Sequence, residues 1–289
     1  MRHVPECIPC LMGRVLFQSR LPGNGKERES MEAALKACAE AVSEEPNSAK
    51  MATRVHRSSY DALEVRDPYF DLKVRADEVA ARFEERVRRY IDASDDRFRT
   101  AVKAAIMGNI MDFGAGIAID DPEEFDAQFE TLLEMELTVD DTGMMKEILR
   151  SGGSVVYFFD NCGETLFDML LIQQIRDMGN RVVGVVRGEP ILNDATIEDA
   201  ERVGLDRCLD RLLTTGAFAI GVDMDKIGCE LREEIGKAGM IIAKGMANFE
   251  SLGEESLPAP AAYLLKAKCA PVASELEVKV GSNVAKVVL

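Results

Sequence analysis

One short run, VVYFFDNCGE at 155–164, constrains this chain more than any other: β-branched and aromatic residues in unbroken succession, stopped abruptly by Asp160, Asn161 and a glycine. A strand that is apolar on both sides must be buried on both faces, which is the condition of a parallel strand inside an α/β sheet. Asp160 and Asn161 then stand at its carboxyl end, the edge at which open α/β sheets bind ligands, and an acid beside an amide oxygen is a donor pair suited to a hard cation.

The same grammar recurs three times. RVVGVVRGEPILNDAT at 181–196 is a second apolar run, followed by a loop carrying Asn193 and Asp194. LDRLLTTG at 209–216 is shorter and ends in Thr214, Thr215 and Gly216, and GMIIAKGMANFE at 239–250 leads into a loop offering Lys244, Gly245, Asn248 and Glu250. If the strands are parallel, all these loops leave the sheet on one side and their polar groups converge on one pocket. Carboxylates and amides would serve a metal there; a lysine and glycine-rich backbone would serve an anion.

Before residue 149 the texture differs. Residues 27–45, 71–91 and 95–111 have apolar positions at helical spacing, joined by Pro- and Gly-bearing connections, and no buried strand is evident. From about 151 the order is strand 154–159, helix 164–178, strand 181–186, helix 195–203, strand 209–213, helix 223–237 and strand 239–243. AAYLLKAK at 261–268 adds a central strand and residues 283–289 a last one. This predicts a three-layer α/β/α sandwich with a mostly parallel sheet over 149–289, preceded by an all-helical domain over 1–148.

A formal net charge of −16 argues against a nucleic-acid surface, which needs clustered Lys and Arg. No stretch of about 18 apolar residues is present and MRHVPECIPC lacks the apolar core of a signal peptide, so the expected compartment is the cytoplasm and no membrane partner is expected. Seven cysteines, an odd number and scattered, read as reduced thiols. With only His3 and His56 available, a His-rich zinc site is nearly excluded, and a Ser-His-Asp triad would have to use His56. GxGxxG after a strand and GxxxxGK[ST] are both missing, so dinucleotide and P-loop readings lack their physical parts.

Each candidate also has a plainer reading. Asp160, Asn161 and Asp194 could cap the helices that follow them; two adjacent oxygen donors, Glu164 three residues on and an acid in the neighbouring loop favour a metal. Lys244 could be a surface lysine, yet it follows a buried-type strand and precedes a glycine, which suits a phosphate ligand. Asn248 reads as a pocket donor, and Thr215 with Gly216 as backbone amides for an anion. Cys7 and Cys10 form a single CxxC, structural, redox or metal-binding, and Cys162 is a small filler or a nucleophile lacking a nearby base. In GNIMDFG (108–114), Asn109 and Asp112 either cap a helix or roof the pocket; in DPYFDLK (67–73), Asp71 and Lys73 read as local.

Taken together, CIPC, DPYFDLK, GNIMDFG, FDNCGE, RGEPILNDAT, AKGMANFESL, LLKAKCAPVA and GSNVAKVVL, in this order over almost the whole chain, resemble the domain-of-unknown-function 89 family of metal-dependent damage-control phosphatases, in its CxxC-bearing archaeal and bacterial branch. The resemblance implies Asp160, Asn161 and Asp194 as metal ligands, Lys244 on the substrate phosphate and Glu164 as an acid of the substrate pocket. It also implies Mn, Co, Ni or Mg as cofactor and small phosphorylated metabolites, among them sugar phosphates, as substrates. The expected chemistry is attack by a metal-activated water, with Asp194 or Glu164 taking its proton, in preference to an aspartyl-phosphate on Asp160. Two rivals are an S-adenosylmethionine-dependent carboxyl methyltransferase, which FDNCGE fits poorly, and a non-catalytic metal or phosphometabolite binder. Self-association into a homo-oligomer is compatible with all three.

Overall fold

The computed structural model describes residues 1–108 and 134–289. Five helices come first: α1 (Cys7–Arg20), α2 (Glu27–Glu44), α3 (Ser48–Leu63), α4 (Phe70–Asp92) and α5 (Arg97–Gly108). After the undescribed stretch come β1 (Leu137–Asp140), α6 (Thr142–Arg150), β2 (Ser154–Phe158), α7 (Thr165–Asp177), β3 (Arg181–Val186), α8 (Ile197–Val203) and β4 (Arg211–Thr214). α9 (Cys229–Lys237), β5 (Met240–Lys244), α10 (Gly245–Leu252), β6 (Ala261–Lys266), α11 (Ala270–Glu275) and β7 (Asn283–Val288) complete the chain.

The strands form one sheet in the order β1-β7-β6-β5-β2-β3-β4. β2 to β6 run parallel, Tyr157 lying opposite Gly184 on one side and Ile242 on the other, whereas β7 is antiparallel to β6 and parallel to β1. Because successive side chains of a strand point to opposite faces, Val155 and Tyr157 enter one apolar core and Val156 and Phe158 the other. The second core is covered by α9, α10 and α11 through Leu231, Ile235, Leu252 and Val272. The chain leaves β2 toward β3 and β4, then returns to β5 on the opposite flank of β2. That reversal opens a crevice at the carboxyl ends of β2 and β5, the usual place for a ligand in such sheets.

Two expectations about the first half need correction. LTVD at 137–140 is a strand of the sheet, β1, lying before the expected boundary at 148/149. The helices are not set apart either: Val79, Ala80 and Phe83 of α4 and Ala101, Ala105 and Ile106 of α5 share the first core with Tyr157 and Phe167. α4 and α5 therefore supply a layer of the sandwich. α1, α2 and α3 pack around Leu11, Val15, Ala37, Cys38, Met51 and Val55, and Tyr60 and Tyr69 join them to the loops after β3 and β4 through Ile191, Leu192 and Phe218. Lys73, read as local, is buried and pairs with Asp67 at 2.7 Å and with Asp199 of α8 at 2.6 Å. The segment after Lys244 is helix α10, not the expected loop. Asn109 and Asp112 of GNIMDFG lie outside the described residues. No helix among the described residues is long and apolar enough to cross a membrane.

Candidate active site

Asp160 and Asn161 continue β2, and the backbone there still pairs as if in a sheet. Ala195 donates its N–H to the Asp160 carbonyl (2.8 Å), Cys162 donates to that of Asn193 (2.9 Å), and Asn161 and Asp194 form an isolated antiparallel bridge. This short ladder fastens the carboxyl end of β2 to the loop after β3, so two acids thirty-odd residues apart face one point. The loop is braced from the helical side: Leu192 sits in left-handed backbone at φ 50° and gives its N–H to the Tyr60 hydroxyl of α3 at 2.9 Å. Gly163 (φ 83°) likewise donates to Asp77 of α4 at 2.7 Å.

Asp160 and Asp194 share a cation that the sequence reading did not single out. Arg187, 1% exposed, directs Nε to Asp194 Oδ2 at 2.5 Å and Nη2 to Asp160 Oδ1 at 3.2 Å, while Nη1 donates to Asn248 Oδ1 (2.8 Å) and the Gly221 carbonyl (2.9 Å). An arginine at the end of a buried run, RVVGVVR, was the signal available in the sequence. A planar guanidinium with several fixed donors suits two carboxylates at once. Burial and the Asp194 and Glu164 carboxylates push Asp160 well above the usual carboxylate range, with Arg187 and Lys268 opposing them.

Glu164 supports the site from beneath. Its Oε1 accepts from the Asn161 backbone N–H (2.8 Å) and from Asn161 Nδ2 (3.0 Å), and Nδ2 also donates to Asp160 Oδ2 at 2.9 Å. With its amide nitrogen committed to two carboxylates, Asn161 presents its amide oxygen as the atom for a ligand. Two carboxylates and an oriented amide oxygen match what Mg²⁺ or Mn²⁺ takes from a protein when substrate phosphate and water complete the shell. Among the described residues no three His, Cys, Asp or Glu side chains form a ready cage.

A cavity of about 300 Å³ opens on this point, and Asp160, Asn161, Asn193, Asp194 and Lys268 line it. α1 and α3 form the opposite wall, with Cys7 and Cys10 on α1. The CxxC is thus part of the cavity, as is Cys269 beside Lys268. Lys268 was also missed, although it follows the AAYLLK strand just as Lys244 ends its own. A larger cleft of about 780 Å³ between α3 and the 217–226 segment holds none of the strand-end acids.

Several expected substrate contacts sit elsewhere. Lys244 is fully enclosed, its Nζ donating to Asp168 Oδ1 (2.6 Å), the Ala105 carbonyl (2.8 Å) and Glu164 Oε2 (3.3 Å), so its charge is spent below the cavity. Glu164, equally enclosed, is a positioning group and not a cavity wall. Asn248 donates to the Phe159 and Lys244 carbonyls at 3.0 and 2.7 Å and holds Arg187 with its oxygen. Thr215 and Gly216 pack on the loop after β3: Thr215 accepts from the Gly188 N–H at 3.1 Å and gives its own to the Val186 carbonyl, leaving no anion nest. Cys162 is buried, a filler as one reading held.

The cluster under the cavity titrates near neutrality. Burial lifts Asp168 from its ordinary 3.8 to about 7 against the pull of Lys244, with Glu164 adding to the rise. Folding therefore takes up a proton between these values. The stability it brings is fully present below about 4 and is lost as pH rises through about 7. Urea unfolding should show stability falling across that window by at most roughly 1.4 kcal/mol per pH unit, and Asp168→Asn should flatten the fall. A variant profile parallel to the wild type would place the titrating group elsewhere.

A mostly parallel sheet whose strand-end acids meet over a cavity at the topological reversal defines the class. The chain belongs to the damage-control phosphatase ARMT1-like family, whose domain model matches residues 3–284. It is 42% identical over its whole length to a protein of Archaeoglobus fulgidus named damage-control phosphatase, with all of that protein covered. It is 33% identical to a damage-control phosphatase of Pyrococcus horikoshii, covering 96% of each chain. The crystal structure of a DUF89 family protein from Pyrococcus horikoshii matches with a TM-score of 0.89 at 32% identity, over 99% of this chain and 98% of the other.

Proposed function

We propose that this chain is a metal-dependent phosphomonoester hydrolase acting on small phosphorylated metabolites in a damage-control role. The observation that carries the reading is the convergence of Asp160, Asn161 and Asp194 on one cavity with Lys268 in its wall. The names of the relatives support the same activity. Asp160, Asn161 and Asp194 would hold Mn, Co, Ni or Mg; such an ion supplies positive charge to the transferring phosphoryl group and acidifies water for in-line attack.

The chain's own groups do the rest. Lys268 brings a cation to the phosphate beside the acids, the part the sequence reading had given to Lys244. Arg187 holds the two carboxylates in a fixed relation, and Glu164 fixes which way the Asn161 amide faces. Asp194 is the better proton acceptor for the attacking water, because both oxygens of Glu164 are engaged by Asn161 and Lys244. The seven cysteines are all free thiols, in keeping with a reducing compartment and hence with the cytoplasm.

The test is a phosphatase screen over a panel of phosphorylated metabolites with Mg, Mn, Co or Ni, each against a chelator control. Release of inorganic phosphate that needs the added metal is the expected result. Chelator-resistant hydrolysis, or none with any metal, refutes the proposal.

A further inference from the structure

The strand-end groups make up only one end of the cavity, and the other end has a different chemistry. Leu11 of α1, Met51 of α3, Ile220 and Met246 of α10 turn carbon and thioether surface inward, and the thiols of Cys7, Cys10 and Cys269 share that wall. A free thiol packs as a small hydrophobe. Glu6, Arg14, Ser48, His56 and Glu250 are the polar side chains among these walls; Ser48 and Glu250 serve each other, and buried His56 keeps one ring nitrogen, Nε2, without a partner. Ser48 Oγ donates to Glu250 Oε2 at 2.6 Å. His56 lies at Nδ1 2.6 Å from Gln18 Oε1, and burial holds its ring neutral, with a pKa lowered to about 3. Apart from Glu6, Arg14, the Ser48–Glu250 pair and the free His56 nitrogen, this lining is carbon and sulfur, so a polyhydroxyl body would bury more hydroxyls than the wall can pair, which costs binding, whereas an apolar body gains burial.

Resting on the phosphatase reading, we infer that the substrate is a phosphomonoester with a short, largely apolar body, and that the wall built from α1, α3 and the residues around Met246 discriminates against sugar phosphates. The volume of about 300 Å³ is at the small end for ligand pockets, which suits a short body. The CxxC thereby receives a role as substrate wall. Each methylene transferred from water to this surface is worth roughly fourfold in binding.

Cyclohexylmethyl phosphate and glucose 6-phosphate make the decisive pair, because ring size and leaving group match and the hydroxyls differ. Steady-state kinetics of the metal-loaded full chain should give the cyclohexylmethyl ester a kcat/KM at least about tenfold higher, carried by KM, with n-butyl phosphate also ahead of the sugar phosphate. Ile220→Thr and Met51→Gln, two separate variants in case one fails to fold, should each reduce that ratio. Equal or reversed preference in the wild type overturns this inference and leaves the phosphatase reading standing, as does a ratio unmoved in both folded variants. No hydrolysis of any ester by the wild type overturns the phosphatase reading, and this inference with it.

Discussion

Asp194→Asn is expected to lower metal-dependent kcat/KM by about 10²- to 10³-fold or more while the protein stays folded. The substitution keeps the volume and removes one of the two carboxylate charges that face the cavity, so the loss falls on cation binding and on proton acceptance together. Asp160→Asn should behave alike. Gly245→Ala reaches the same acid by another route: Gly245 has φ 75°, and a Cβ there would stand 1.9 Å from Asp160 Oδ2, so the carboxylate must move. Calorimetric titration with Mn²⁺ beside circular dichroism separates lost metal binding from lost fold. Near-normal turnover by Asp194→Asn would remove the acid pair from the mechanism.

Arg187→Met should be the most destabilising single change in the site, by about 3–5 kcal/mol in metal-free protein. Its guanidinium is 1% exposed and its partners Asp160 and Asp194 are 8% and 7% exposed, so removing it leaves two carboxylates side by side with little solvent to screen them. Asn248 and the Gly221 carbonyl lose a donor at the same time. A divalent cation bound by the same two acids should restore part of the loss by mass action. Urea unfolding with chelator and with saturating Mg²⁺ reads both effects; an unchanged chelator midpoint would show that the pair does not depend on Arg187.

What the sequence showed in advance was whatever depends on local pattern. Uninterrupted apolar runs reveal strands buried on both faces, and parallel pairing then puts their following residues on one edge, which is how Asp160, Asn161 and Asp194 could be grouped without coordinates. Side-chain direction was not available in that way. Lys244 has the same parity along β5 as Ile242, which faces the layer of α5 and α7, so it points at Ala105 and Asp168 and away from the cavity. Nothing near Lys244 in the chain announces Asp168 or Ala105. β1 was missed because LTVD is only four residues long and half exposed, and its membership depends on pairing with β7 at the other end of the chain. The role of α4 and α5 as a sandwich layer was hidden for a similar reason: an amphipathic helix looks the same whether its apolar face meets helices or a sheet.

The cavity walls come from positions as far apart in the chain as 7 and 10 on one side and 268 to 271 on the other. During synthesis the early helices emerge long before the residues that must close against them, so the pocket has no complete form until residues 268–271 have left the ribosome. On the proposed reading, a product truncated before Lys268 should be inert even where its sheet has begun to assemble.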